Sequence, residues 1–216
     1  MPLTTPPCSD TGPYPVLVLE GMPGAGKTTT ATTLATENRT VIGEYTTTTG
    51  DVVPIRAYPA VDDDPGYQHN WLRKHRQVQA ARRVGPVVCD RDWLSALAYG
   101  HSVADTDDGE LFASRARWAA DCLDRGHLAV ASTYVVLQLD PTVSLRRRAN
   151  RLTPGHPWSS LPGLIRVAEF YTDPAKAVAP VHPDLAVWLR CANWHPLGDY
   201  SIDRTVQYVR DLTNRP

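Results

Sequence analysis

The chain has 216 residues, which is enough for one α/β domain with a substantial core but not comfortably for two. Its formal net charge of -1 gives no reason to expect a nucleic-acid backbone as a partner. No apolar run approaches the length of a membrane span, so we expect no membrane partner. The Pro-rich residues 1–14 are expected to form a mobile tail before a single domain at 15–216.

The four cysteines are scattered, with no C-x-x-C pair and no spacing typical of metal ligands. This pattern is typical of reduced thiols, and the first residues contain neither basic residues nor an apolar core that would indicate a signal peptide. We therefore expect a cytoplasmic protein. The cysteines are Cys8, Cys89, Cys122 and Cys191.

A phosphate-binding loop follows the first apolar run. Residues 16–19 read as a strand buried on both faces, and residues 21–28 match G-x-x-x-x-G-K-[ST] before a helix predicted over 27–37. Glycines let successive backbone N–H groups face phosphate oxygens, the lysine reaches the β- and γ-phosphates, and the hydroxyl is placed to ligate Mg²⁺. The predicted nucleotide-binding residues are Gly21, Gly24, Ala25, Gly26, Lys27, Thr28 and Thr29.

Strands and helices alternate along the rest of the chain, which predicts a parallel sheet covered on both faces. With the first strand, this gives a five-stranded α/β domain of the P-loop NTPase type. The further strands are predicted at 40–44, 86–90, 133–140 and 186–191. Helices are predicted at 67–84, 93–100, 110–125, from Pro141 onward, around Phe170 and Tyr171, and at 201–213.

Asp90 and Arg91 come at the carboxyl end of the third strand, where the ligand sites of open α/β sheets lie. An acid at this place can hold Mg²⁺ directly or through water, and Arg91 can contact a phosphate or the acceptor. The alternative is structural: Asp90 would cap the next helix while Arg91 makes a surface ion pair.

Several arginines follow the fourth strand on a predicted helix. Arg147 and Arg151 are four residues apart and should share one face, where an anion between them would relieve their repulsion. A Pro- and Gly-rich loop follows, so residues of about 145–165 are predicted to form a lid over ATP. Arg147 and Arg151 would then stabilise the transferred charge while Arg148 binds nucleotide; the alternative is a solvated basic face.

The motifs together resemble thymidylate kinases and, more distantly, deoxynucleoside kinases. The resemblance rests on LEGMPGAGKTT, on D-R-x-x-L-S-x-x-A-Y from Asp90 to Tyr99, and more weakly on LQLDPTVSLRRRANR. It implies that Arg91, Ser95 and Tyr99 lie near the acceptor. Trp71 and Gln77, on the helix before this motif, are further acceptor-site candidates, although such residues are more often core.

The chain departs from thymidylate kinases at positions that bind their substrate. Pro23 stands where the loop usually has an acid, Ala96 follows the motif serine, and the second strand ends in Gly43-Glu44-Tyr45 rather than Arg-Glu-Pro. In deoxynucleoside kinases the glutamate after the second strand acts as base toward a 5′-hydroxyl. Glu44 fits that role, which supports a small-molecule kinase and weakens thymidylate as its acceptor.

We therefore expect an ATP- and Mg²⁺-dependent phosphotransferase acting on a nucleoside, a nucleoside monophosphate or a similar hydroxyl compound. Lys27 would hold ATP, Thr28 and Asp90 would organise Mg²⁺, and Glu44 or Asp90 would act as general base beside Arg91. The alternatives are a kinase of a secondary metabolite or antibiotic and a non-catalytic nucleotide switch. No N-K-x-D motif supports a GTP switch. The choice between ATP and GTP and between monomer and homodimer stays open.

Overall fold

The computed structural model describes residues 12–37, 39–46, 64–105, 109–198 and 200–214. The strands are β1 (Val16–Gly21), β2 (Thr40–Ile42), β3 (Val87–Asp90), β4 (Thr133–Leu137) and β5 (Asn193–Leu197). The first helices are α1 (Lys27–Thr36), α2 (Asp64–Ala81), α3 (Leu94–Val103), α4 (Glu110–Asp124) and α5 (Pro141–Arg147). The later helices are α6 (Leu161–Thr172), α7 (Pro174–Val178), α8 (Pro183–Leu189) and α9 (Ile202–Thr213).

The five strands form one parallel sheet in the order β2-β3-β1-β4-β5. β1 lies at the centre, pairing with β3 on one side and with β4 on the other. Leu19 is in register with Asp90, and Gly21 with Leu137. The carboxyl ends of these three strands therefore meet at one edge, which is where the phosphate loop begins.

Two apolar layers cover the sheet, and the alternation of β1 divides its side chains between them. Val16 and Val18 belong to the larger layer, together with residues of α2, α3, α4 and α6. Leu17 and Leu19 face the smaller layer, formed with α1 and α9. Every residue of β1 is buried, as expected for a central strand of a parallel sheet covered on both faces.

The predicted fifth strand at 186–191 is wrong. Residues 186–189 of this segment belong to helix α8, in which Pro183 takes the first turn and the His182 ring accepts a hydrogen bond from the Leu185 amide. The strand lies further on, at Asn193–Leu197, and it contains Pro196. A proline fits there because β5 is the edge strand of the described sheet, next to β4.

The other predicted elements differ mainly at their ends. β2 ends at Ile42, so Glu44 follows the strand instead of lying within it. The Asp140 cap is confirmed, because its carboxylate accepts hydrogen bonds from the amides of Thr142 and Val143. Residues 1–11 of the predicted tail lie outside the described residues, while the Tyr14 carbonyl accepts hydrogen bonds from Arg82.

The cysteine prediction is confirmed in part. Cys89 and Cys122 are free, buried thiols. Cys191 is disulfide-bonded, so the expected reduced thiol is wrong for this residue, and Cys8 lies outside the described residues. In the described ranges, no helix has both the length and the apolar character needed to cross a membrane.

Candidate active site

The phosphate loop connects β1 to α1 at the carboxyl edge of the sheet. Its three glycines, Gly21, Gly24 and Gly26, all have φ in the left-handed region, at 115°, 75° and 95°. A Cβ on Gly21 would lie 2.7 Å from the Leu137 nitrogen and closer still to the Leu137 carbonyl oxygen. Glycine at position 21 is therefore required both by the backbone conformation and by the contact with β4.

Lys27 is buried at the start of α1 and turns back over the loop. Its Nζ donates hydrogen bonds to the carbonyl oxygens of Gly21, at 2.9 Å, and Met22, at 2.7 Å. Burial, with a further contribution from the positive charge of Arg91, lowers the pKa of Lys27 to about 7. An anion bound in the loop would supply the negative charge that favours the ammonium form. Thr28 and Thr29 are exposed on the adjoining turn.

Asp90 ends β3 beside the phosphate loop and is buried. Its Oδ1 has no hydrogen-bond partner among the described residues. Lys74, buried on α2, donates from Nζ to the carbonyl oxygens of Asp90, at 2.8 Å, and Arg91, at 2.7 Å. The backbone at the end of β3 is therefore held by Lys74, while one carboxylate oxygen of Asp90 has no donor in the described part of the chain.

Arg91 lies between two carboxylates. Its Nε is 3.1 Å from Glu44 Oε1, and its Nη1 is 3.3 Å from Glu20 Oε2 and 3.0 Å from Ser95 Oγ. Its backbone has φ of 64°, a conformation uncommon for residues other than glycine. Burial would lower the pKa of Arg91, but Glu44 and Glu20 together raise it. The Arg91 side chain is thus a fixed cation in the site.

Glu44 is the member of this group nearest to solvent, with 29 % of its side chain exposed, whereas Glu20 is fully buried. Burial raises the pKa of Glu44, and Arg91 opposes this change. The raised pKa makes Glu44 a stronger base than an ordinary carboxylate, while Arg91 favours its ionised form.

A cleft opens beside Glu44. It brings together the predicted acceptor-site residues Glu44, Trp71, Ser95 and Tyr99 with Tyr67, Ala96, Arg115, His156 and Trp158. Gln77 does not line this cleft, and its side-chain Oε1 accepts a hydrogen bond from the Thr46 hydroxyl. The walls are largely aromatic, which suits a planar ring in the acceptor.

The structure corrects the predicted arginine helix. α5 ends at Arg147, and Ala149–Arg151 form a separate 3-10 turn, so Arg147 and Arg151 do not share one helix face. Both side chains are exposed. Arg148 is half-buried instead: it lies 3.2 Å from where a Cβ on Gly24 would stand, and it donates to the Trp158 carbonyl at 2.6 Å. Arg148 therefore lies against the phosphate loop.

Sequence reasoning missed Glu20, Lys74 and Arg115. Glu20 carried a signal, because an acid is unusual within an otherwise apolar buried strand. Lys74 and Arg115 are buried on α2 and α4, and the pattern of those helices did not mark them as site residues. His156 and Trp158, which lie in the predicted lid segment, line the cleft together with Tyr99.

This fold and this loop define a P-loop nucleotide-binding protein. A protein-family model described as an AAA domain matches residues 16–134, which is 119 of the 216 residues. Since the match covers more than half of the chain, the chain belongs to this family. No curated protein matches the sequence.

Solved structures of two kinases share the fold. The deoxyadenosine kinase from M. mycoides with bound dATP matches with a TM-score of 0.61 and 10% identity, over 94% of this chain and 100% of that one. With bound dCTP the same kinase gives 0.63 and 9%, over 92% and 98%. Thymidylate kinase from Candida albicans gives 0.55 and 16%, over 92% and 90%. The predicted P-loop kinase fold is therefore confirmed.

Proposed function

We propose that the protein is an ATP- and Mg²⁺-dependent kinase that phosphorylates a hydroxyl group of a nucleoside or nucleoside-like molecule. The observation that carries this proposal is the Arg91–Glu44 ion pair, which lies between the phosphate loop and an aromatic cleft. A base and a cation at that place are the groups that an incoming hydroxyl needs. The structurally similar proteins, a deoxyadenosine kinase and a thymidylate kinase, support the same class.

The donor side of the site is the phosphate loop. Lys27 already contacts two loop carbonyls, and its ammonium would move onto the terminal phosphates of the nucleotide. Arg148, which contacts Gly24 of the loop, would stabilise charge on the transferred group. The roles predicted for Arg147 and Arg151 need these exposed side chains to turn inward, and they stay predictions.

Thr28 and Asp90 would hold Mg²⁺. The residues fit, because Asp90 Oδ1 is a buried carboxylate oxygen to which no described residue donates, and the Thr28 hydroxyl is exposed beside the loop. When bound, the ion neutralises the charge of the phosphates and orients them. Asp90 then has the metal as its partner, which favours Glu44 over Asp90 as the general base.

The acceptor side supports an uncharged acceptor. Among the described residues that line the cleft, Glu44 is acidic and Arg115 is the cation. Arg115 is already engaged, because it donates to the Ala96 carbonyl at 3.1 Å and packs 4.8 Å from the Tyr99 ring centre. Arg91 is engaged by Glu20 and Glu44. A phosphate dianion on the acceptor would therefore meet a carboxylate and cations that already have partners, so a neutral hydroxyl compound fits better.

A kinase of a secondary metabolite or antibiotic is the second candidate. It uses the same chemistry. The aromatic cleft favours it, because Ala96 offers no side-chain hydrogen-bonding group to recognise a nucleobase. A non-catalytic nucleotide switch is a weaker candidate, because it would not need Glu44 beside the cleft. The small-molecule partner and the cytoplasmic location are part of this proposal.

The test is acceptor-dependent ADP release by purified protein with ATP and Mg²⁺, measured against nucleosides, nucleoside monophosphates and hydroxylated antibiotics. Lys27→Ala and Thr28→Ala should each abolish transfer without unfolding the protein. Lys176→Ala and Thr32→Ala are matched controls, since both residues are exposed helix positions. Retained turnover in folded Lys27→Ala protein would contradict the loop assignment, and loss of turnover in both controls would show that the assay reports stability.

A further inference from the structure

Glu20 is a fully buried carboxylate in the central strand of the sheet, directly before the phosphate loop. Strands covered on both faces normally carry apolar residues, and an ionised group in such a place is unfavourable unless it is paired and hydrogen-bonded. A leucine or valine would fill the position without that requirement. The carboxylate therefore needs an explanation beyond packing.

Four donors from two parts of the chain, residues 91–95 and helix α6, converge on Glu20. They are Arg91 Nη1 at 3.3 Å, the Asp92 amide at 3.0 Å, Ser95 Oγ at 2.9 Å and Tyr171 Oη at 2.7 Å. Tyr171 comes from α6, whose first residues lie in the predicted lid segment. Both oxygens of the Glu20 carboxylate therefore accept hydrogen bonds, from Arg91 itself and from donors near it.

The guanidinium of Arg91 is divided between two acids. Nη1 points to Glu20 and Ser95, which leaves Nε for Glu44 at the edge of the cleft. The backbone of Arg91 is separately fixed by Lys74 at its carbonyl oxygen. Without Glu20, the partner of Nη1 among these contacts would be the neutral Ser95 hydroxyl, which holds a guanidinium less strongly than a carboxylate does. The Arg91 guanidinium would then turn toward Glu44, since bidentate pairing with a carboxylate is its preferred geometry.

We propose that Glu20 is a positioning residue, which holds Arg91 so that a single N–H faces Glu44 and the Glu44 carboxylate stays available to the acceptor hydroxyl. The proposal rests on the proposed function and deepens it by adding a residue that touches neither substrate. Ser95 and Tyr171 contribute by holding Glu20 in place.

The first test is a double-mutant cycle in the ADP-release assay. Glu20→Gln keeps the shape of the side chain and should lower kcat roughly 10- to 100-fold through misplacement of Arg91, with the Kd for ATP unchanged. In a Glu44→Gln background the same change should have little further effect, because the group through which it acts is gone. Glu169→Gln, a substitution at an exposed position of α6, is the matched control and should leave kcat unchanged.

The proposal would be overturned if the fold losses of kcat of the two single variants multiply in the double variant, or if Glu20→Gln also loses ATP binding. Glu20 would then be a structural residue. Should Glu20→Gln not fold, Tyr171→Phe removes one donor to the same carboxylate and should give a smaller loss of kcat that also disappears in the Glu44→Gln background.

The second test does not need an acceptor, so it separates failure of this proposal from failure of the proposed function. The Arg91 Nε–H proton should give an NMR signal protected from exchange in wild-type protein and in Glu169→Gln. In Glu20→Gln the chemical shift of this proton and its protection from exchange should change, because the Arg91 guanidinium turns. An unchanged signal would contradict the positioning role, whether or not any acceptor is phosphorylated.

Discussion

Replacing Arg91 by alanine should destabilise the fold far more than removing a surface arginine. Arg91 is 5% exposed and is the cation that faces the fully buried Glu20, at 3.3 Å. Removing one partner of a buried ion pair typically costs about 3–5 kcal/mol, because the other charge is left uncompensated. The uncommon φ of 64° does not alter this figure, since alanine also carries a Cβ and meets the same backbone strain.

The assay is equilibrium unfolding in urea at pH 7, followed by tryptophan fluorescence. Arg117→Ala is the control: its pair with Glu110 is 3.2 Å long, but the two side chains are 57% and 78% exposed, so we expect a loss of no more than about 1 kcal/mol. The double variant Arg91→Ala/Glu20→Gln should be more stable than Arg91→Ala alone, because the uncompensated charge is gone. A loss below about 1 kcal/mol for Arg91→Ala, or a double variant no more stable than the single one, would refute this reasoning.

Three further changes test other parts of the site. Glu44→Gln should lower kcat roughly 10²–10⁴-fold while ATP binding persists, as measured by ADP release and nucleotide titration; normal turnover would move the role of general base to Asp90. Gly21→Ala should destabilise the protein by about 3 kcal/mol in urea unfolding because its Cβ would meet the backbone of Leu137, whereas Gly85→Ala, with open space around it, should change stability by less than about 1 kcal/mol. Trp71→Phe should widen the cleft and raise kcat/KM for bulkier acceptors relative to smaller ones, and an unchanged ratio would remove Trp71 from the acceptor site.

The part of the site that lies close together in the chain was predictable from sequence. The buried run of β1, the glycines of the loop and the helix after it are determined locally, so the strand, loop and helix could be placed from the sequence. The position of Asp90 and Arg91 beside the loop was predictable too, because strand ends in a parallel sheet share one edge.

The remainder depends on contacts between distant residues. Glu20 contacts Arg91, which is 71 positions away in the sequence, and Tyr171, which is 151 positions away. No local sequence pattern indicates these pairs. The fifth strand was misplaced because an apolar run of five or six residues fits a helix as well as a strand. Pro196 also made Asn193–Leu197 look unlike a strand, since proline is uncommon within strands. No glycine or proline follows Arg147 to mark the end of α5, so the predicted helix was too long and wrongly included Arg151.

The measurement that most directly tests the central claim is acceptor-dependent ADP release with ATP and Mg²⁺, comparing nucleosides with their monophosphates. We expect a neutral nucleoside or nucleoside-like hydroxyl compound to be phosphorylated, with thymidylate a poor acceptor and with no transfer in Lys27→Ala. A preference for thymidylate would contradict the assignment of an uncharged acceptor. ADP release that no acceptor stimulates, in folded protein that binds ATP, would contradict the kinase itself.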